Sequence, residues 1–113
     1  MNYPEIKSLL NSTDNPVQKL EFLMDLGDSL PKIPDGKHGT EIRGCSSRVE
    51  IFKDKNNNIY GLADSKLVSG IVTILIEMKK ANVNLDDFWK LSLNLGSSRV
   101  NGATAMIAFL KAL

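Results

Sequence analysis

Cysteine is almost absent from the sequence, which has 113 residues and a single cysteine, Cys45. One cysteine cannot form an internal disulfide, so the chain is not a small secreted scaffold held by disulfides. It also falls far short of the ligands that an all-thiolate zinc or iron–sulfur site needs. The single histidine, His38, adds one potential ligand, and the two residues together do not make a metal site. We therefore expect neither a metal nor a cofactor.

An excess of charge of one sign and a long hydrophobic run are also missing. Fourteen Lys and Arg residues oppose thirteen Asp and Glu residues, a net charge of +1, whereas nucleic-acid binders usually carry a basic excess. The most apolar stretch, residues 67–76, is only about ten residues long and too short to span a bilayer. The first five residues lack the pattern of a signal peptide. We expect a cytoplasmic protein that binds neither nucleic acid nor membrane.

What is present is the composition of an ordinary globular protein, with 42% hydrophobic and 24% charged residues. The sequence contains no internal repeat, no low-complexity tract and no Gly/Ser linker. At this length, residues 1–113 are predicted to form a single domain.

The first half of the sequence predicts two helices and an extended connection. A short helix is predicted from Tyr3 to Leu10. Asn15 and Pro16 form a stronger helix start, because Asn caps helices and Pro fits the first helical position. This helix should end by Leu30, before Pro31. Its predicted apolar face consists of Val17, Leu20, Leu23, Met24 and Gly27.

Three short strands are predicted next. The first runs from Thr40 to Arg43. Alternating residues 49–54 predict the second, the polar residues 55–58 predict a turn, and residues 59–63 predict the returning strand of an antiparallel hairpin. Asp64 or Ser65 then caps a long apolar helix. Gly70 lies inside this helix at a cost of about 1 kcal/mol relative to Ala, which indicates a close packing partner there.

Two further helices complete the prediction. Asn84 or Leu85 opens a short helix with Phe88 and Trp89 in the core. Ser97 or Ser98 caps the last helix, whose predicted buried stripe is Val100, Ala103, Met106, Ile107 and Leu110. The predicted fold class is α+β, with a small antiparallel three-stranded sheet covered on one face by helices.

Cys45 is the one residue whose type and setting together indicate chemistry. It lies in a turn after Gly44, where we expect an exposed and mobile thiol. Arg43 and Arg48 flank it, and nearby cations favour the reactive thiolate. The alternative is that Cys45 is a small buried hydrophobic residue, which is common for free cysteine.

Other polar residues carry weaker indications. His38 is a potential base for Cys45 in a cysteine hydrolase, but no spacing selects the orienting residue that such an enzyme needs. Arg99 stands in the first turn of a helix, where a cation opposes the helix dipole. It therefore needs an anion, a group of carbonyls or a thiolate nearby.

Four segments together resemble the SufE family of sulfur acceptors in iron–sulfur cluster assembly. Residues 44–49 (Gly-Cys-Ser-Ser-Arg-Val) are similar to its Gly-Cys-Gln-Ser-x-Val loop, and residues 26–31 to its Leu-Gly-x-x-Leu-Pro helix end. Residues 63–71 resemble its Ser-Asp-Ala-x-Ile-Val-x-Gly-Leu segment, and residues 98–106 its Ser-Arg-x-Asn-Gly-x-x-Ala-Met pattern. The matches follow the family's order from about residue 16 onward. Ser46 departs from the family's Gln, and Glu50 from its Trp.

The resemblance implies a sulfur carrier with a SufE/IscU-like fold rather than an enzyme. Cys45 would take persulfide sulfur from a SufS- or CsdA-like cysteine desulfurase, stimulate it, and pass the sulfur to an iron–sulfur scaffold complex. Supporting or partner-binding positions would be Arg43, Gly44, Ser46, Arg48, Asp64 and Arg99. A carrier should shelter its persulfide, so we expect the Cys45 loop to rest in an apolar hollow near the helix that begins at Asp64.

Four alternatives remain open at this level. The sulfur could pass to another acceptor, such as a tRNA-modification pathway. The chain could instead be an iron–sulfur scaffold, which its single cysteine argues against, a Cys45–His38 hydrolase, or an interaction module with an inert cysteine. No long apolar stripe is left over, so the expected oligomeric state is a monomer.

Overall fold

The computed structural model describes all 113 residues and has a mixed α+β architecture. Four α-helices and a three-stranded sheet are joined by two 3₁₀ segments, Gly27–Ser29 and Leu85–Leu91. The α-helices are α1 (Tyr3–Asn11), α2 (Pro16–Leu26), α3 (Lys66–Lys80) and α4 (Ser97–Lys111), and the strands are β1 (Thr40–Glu41), β2 (Val49–Lys53) and β3 (Ile59–Ala63). The predicted fold class is confirmed.

The sheet is antiparallel throughout, with strands in the order β1-β2-β3. The connection after α2 lies along the free edge of β3, where the Gly61 amide donates to the Pro31 carbonyl at 2.8 Å. Strand β1 ends at Glu41, short of the predicted Arg43, because residues 43–44 form a turn. The hairpin turn between β2 and β3 is confirmed, with Asn57 at a φ of 67°.

Helix α3 is the centre of the core. It packs on the inner face of the sheet, which presents Val49, Ile51 and Ile59, and on α2. All 25 buried hydrophobic residues form one contiguous cluster, which reaches from Ile6 in α1 to Leu110 in α4. The sheet and every helix are therefore fixed to the same core. No helix is both long and apolar enough to cross a membrane.

Helices α2 and α3 approach each other through two glycines. A Cβ atom at Gly70 would overlap the carbonyl oxygen of Leu23, and one at Gly27 would lie 2.5 Å from the carbonyl oxygen of Lys66. The close packing predicted from Gly70 is confirmed.

The predicted apolar face of α2 is partly wrong. Leu23 and Leu26 are buried, but Val17 and Met24 are exposed. Contact with α3 through Gly27 turns the Leu23 and Leu26 side of the helix inward.

Trp89 is another correction, since it is 41% exposed rather than part of the core. The segment that contains it is a 3₁₀ helix, which has three residues per turn. Leu85, Phe88 and Leu91 therefore share the buried side, and Trp89 lies outside, with its ring edge against Phe88 at a centroid distance of 5.2 Å.

Substituting Gly70 tests the contact between α2 and α3. We expect Gly70→Ala to destabilise the fold by about 3 kcal/mol, because the added methyl group meets backbone and has no space to enter. Lys79→Ala, on the partly exposed side of the same helix, should change stability by less than about 0.5 kcal/mol. Urea unfolding of both variants gives the comparison, and equal midpoints would contradict the packing described here.

Candidate functional site

Cys45 lies in a loop, residues 42–48, that joins β1 to β2. The amide of Ile42 donates to the carbonyl of Val49 at 2.8 Å and closes the base of the loop. Gly44 has a φ of 91°, a left-handed conformation that favours glycine. A Cβ atom there would lie 3.4 Å from the Cβ atom of Ala105. The turn at Gly44 therefore brings the loop down onto α4.

The Cys45 side chain packs against α4 at Gly102. The Sγ–H group donates to the Gly102 carbonyl at 3.6 Å, and a Cβ atom added at Gly102 would lie 3.4 Å from Sγ. The thiol faces a hollow of about 20 Å³, which is lined by Cys45, Ser46, Ser47, Val68, Ile71, Ser98, Arg99, Gly102 and Met106. A hollow lies near the start of α3 as expected, through Val68 and Ile71, and α4 supplies more of its lining. It is apolar only in part, because Ser98 and Arg99 of α4 and two serines of the loop also line it.

Side-chain hydroxyls fasten the loop to α4. Ser46 Oγ and Ser98 Oγ lie 2.8 Å apart and share a hydrogen bond. This hydrogen bond joins the loop to the first turn of α4.

Asp64 fastens the other end of the loop. Its Oδ2 accepts from the amide of Arg48 at 3.4 Å, and its own amide donates to the Arg48 carbonyl at 3.4 Å. Asp64 is not the cap of α3; that role belongs to Ser65, whose side chain accepts from the amide of Val68. The carboxylate of Asp64 is therefore available to the loop.

The predicted capping of α4 by Ser97 or Ser98 is wrong. The N-cap residue is Gly96, with a φ of 82° and no side-chain hydrogen bond. Ser98 instead contacts the loop. Arg99 is expected to need an anion, a group of carbonyls or a thiolate nearby, and the structure gives it one carbonyl: its Nη1 donates to the Leu95 carbonyl at 3.2 Å.

The expected exposed thiolate is not what the folded chain contains. Cys45 is half-buried, and burial raises the pKa of its thiol. Arg48 does not face the sulfur, because its Nε donates to Glu50 Oε2 at 2.9 Å in a salt bridge. Arg43 is exposed. In this conformation the neutral thiol is favoured.

His38 is not brought to Cys45. It lines a separate shallow hollow, together with Arg48, Glu50 and Leu62. The structure therefore lacks the cysteine–histidine pair of a hydrolase. No group of three or more His, Cys, Asp and Glu side chains is arranged to hold a metal ion.

Gly102 is the contact residue that sequence reasoning missed. The signal was available, because glycine inside a helix costs about 1 kcal/mol relative to Ala and indicates a close neighbour. The argument that predicts a close neighbour for Gly70 also predicts one for Gly102.

The predicted buried stripe of α4 is wrong at Val100, which is 38% exposed. The rest of that stripe is buried as predicted.

The fold and the loop define an α+β protein that holds a single cysteine between the end of a small sheet and a helical layer. The family model of SufE, described as the Fe-S metabolism associated domain, matches residues 4–113. The chain belongs to this family and has a role in Fe–S metabolism. No curated protein matches the chain.

The raised pKa of Cys45 gives a testable pH dependence. Alkylation of the folded chain by iodoacetamide should rise with pH around a midpoint above that of the urea-unfolded chain. In the pH range between the two midpoints, the unfolded chain has lost its thiol proton and the folded chain keeps it. The free energy of unfolding should therefore fall as pH rises through this range. A folded midpoint at or below the unfolded one would contradict this description.

The Ser46–Ser98 hydrogen bond should hold the loop closed. Ser46→Ala removes it, and we expect Cys45 alkylation at constant pH to accelerate about threefold, since an exposed hydrogen bond contributes about 0.5–1.5 kcal/mol. Ser97→Ala is the matched control, because Ser97 is exposed and makes no side-chain hydrogen bond. The same alkylation rate in both variants would show that this contact does not restrain the loop.

Proposed function

We propose that this chain is a sulfur acceptor and carrier that takes persulfide sulfur from a cysteine desulfurase onto Cys45 and delivers it for iron–sulfur cluster assembly. Membership of the SufE family supports the pathway. The observation that carries the residue assignment is the position of Cys45, on a loop that holds the thiol against a hollow to which Val68, Ile71 and Met106 contribute apolar side chains. Residues 1–113 would act as one carrier domain and as a monomer.

The transfer step follows the chemistry of thiol–disulfide exchange. The Cys45 thiolate attacks the terminal sulfur of the persulfide on the desulfurase, and a new sulfur–sulfur bond forms at Cys45. The sulfur–sulfur bond of the desulfurase persulfide breaks, and its cysteine leaves as a thiolate with the electron pair. Electrons and sulfur atoms balance without an external oxidant or a cofactor.

The closed loop is the storage conformation, in which burial keeps the thiol neutral. Attack requires the thiolate, so the loop must move away from α4 when the desulfurase docks. Gly44 supplies the turn about which this movement would occur. The flanking Arg43 and Arg48 side chains are exposed and would then lie beside the sulfur at the partner surface, where cations favour the thiolate.

The contacts that hold the loop closed would return the sulfur to the hollow. Ser46 bonds to Ser98, Asp64 holds the amide of Arg48, and Arg99 lines the hollow. A persulfide in the open loop is exposed to attack by dissolved thiols, which remove its outer sulfur by the same exchange reaction. Closing the loop limits that loss before delivery to the scaffold complex.

Alanine release by the desulfurase tests the stimulation of its turnover. With excess cysteine and a thiol reductant that removes the sulfur from the Cys45 persulfide, stoichiometric wild-type chain should raise the rate about tenfold, because transfer to Cys45 regenerates the free desulfurase cysteine. Cys45→Ser should bind the desulfurase and give no increase. Ser97→Ala, which changes an exposed side chain outside the hollow, should behave as the wild type. Stimulation by Cys45→Ser equal to that of the wild type would exclude sulfur acceptance at Cys45.

A further inference from the structure

The hollow beside Cys45 leaves free space next to the thiol. The region that the centre of a water-sized atom can occupy measures about 20 Å³, so an atom of that size fits beside Sγ. A sulfur atom is somewhat larger than a water molecule, and the room for it depends on the groups that border Sγ. The outer sulfur of a persulfide would lie about 2.05 Å from Sγ, within this space.

Gly102 forms the wall closest to the thiol. A Cβ atom there would lie 3.4 Å from Cys45 Sγ and 3.8 Å from Met106 Cε, between the two sides of the hollow. These are ordinary contact distances, so an alanine would fit against the free thiol. The methyl group would occupy the space that an added sulfur requires.

We propose that the missing side chain at Gly102 makes room in the hollow for the outer sulfur of a Cys45 persulfide. This rests on the proposed function and assigns Gly102 as a residue that positions the stored sulfur. The apolar side chains of Val68, Ile71 and Met106 shield that sulfur from dissolved thiols.

Gly102→Ala tests storage of the sulfur without destabilising the fold. Alanine stabilises a helix relative to glycine, so the unfolding temperature of the variant should equal or exceed that of the wild type. The persulfide form should lose its outer sulfur to glutathione about tenfold faster, because the methyl group excludes the sulfur from the hollow. Thr104→Ala is the matched control, since Thr104 lies on the exposed side of α4.

Inorganic polysulfide is the sulfur source, so the test does not depend on a desulfurase. The Cys45 thiolate attacks a terminal sulfur, and the shortened polysulfide leaves with the electron pair. The adduct is followed by intact mass, as an increase of about 32 Da for each sulfur. Glutathione then attacks the outer sulfur and releases the Cys45 thiolate, and the decay of the adduct gives the lifetime.

The expected result is a long-lived adduct of one sulfur on the wild type and on Thr104→Ala, and a short-lived one on Gly102→Ala. Failure of Gly102→Ala to accumulate any adduct, while its urea-unfolded form does, is an equally supporting result. The proposal is overturned if Gly102→Ala retains its sulfur as long as the wild type, or if no wild-type adduct outlasts that of the unfolded chain. Either of these results would overturn the role of Gly102 but not the proposed transfer from a desulfurase to Cys45, because that transfer is measured separately by alanine release.

Discussion

The contact between Cys45 and Gly102 is the constraint on which the site depends. A loop at the end of a small sheet meets a helix from the other end of the chain, and the absence of a side chain at residue 102 lets Sγ approach its backbone. The remaining structure holds the two sides of this contact in place. Helix α3 packs the sheet and α4 into one core. The pairing of β2 with β3 fixes the position of the strand end from which the loop extends.

Under the proposed function, that contact would also reconcile two opposing demands on a sulfur carrier. A nucleophilic cysteine must be exposed and ionised, whereas a stored persulfide must be kept from dissolved thiols. The closed loop meets the second demand, since it half-buries Cys45 and raises the pKa of its thiol. The first demand is left to an open loop in contact with a partner. The restraints on the loop are few and exposed, such as the Ser46–Ser98 hydrogen bond, so opening does not require the core to rearrange.

Local sequence signals predicted most of the fold. Asn15 followed by Pro16 marked the start of α2, alternating residues marked the hairpin, and Gly70 marked the packing of α2 on α3. These features depend on the residues themselves or on one neighbouring element. Trp89 was misplaced because the apolar pattern of residues 85–91 does not distinguish a 3₁₀ helix from an α-helix.

The site was less predictable because its properties arise from distant segments. The sequence is sufficient to single out Cys45 as the candidate reactive residue. Its surroundings come from α3 and α4, which lie more than twenty residues further along the chain. The neighbouring arginines indicate a thiolate, whereas burial raises the pKa of the Cys45 thiol in the folded chain and Arg48 pairs with Glu50 instead. Similarly, the sequence predicts that Ser98 caps a helix, whereas in the structure its hydroxyl group forms a hydrogen bond with the hydroxyl group of Ser46.

The most direct measurement is the intact mass of the chain after brief incubation with a cysteine desulfurase and cysteine, followed by peptide mapping without reductant. The account predicts one added sulfur, about 32 Da, on the peptide that contains Cys45, and none on Cys45→Ser. No added sulfur on the wild type, or an adduct that persists in Cys45→Ser, would contradict it.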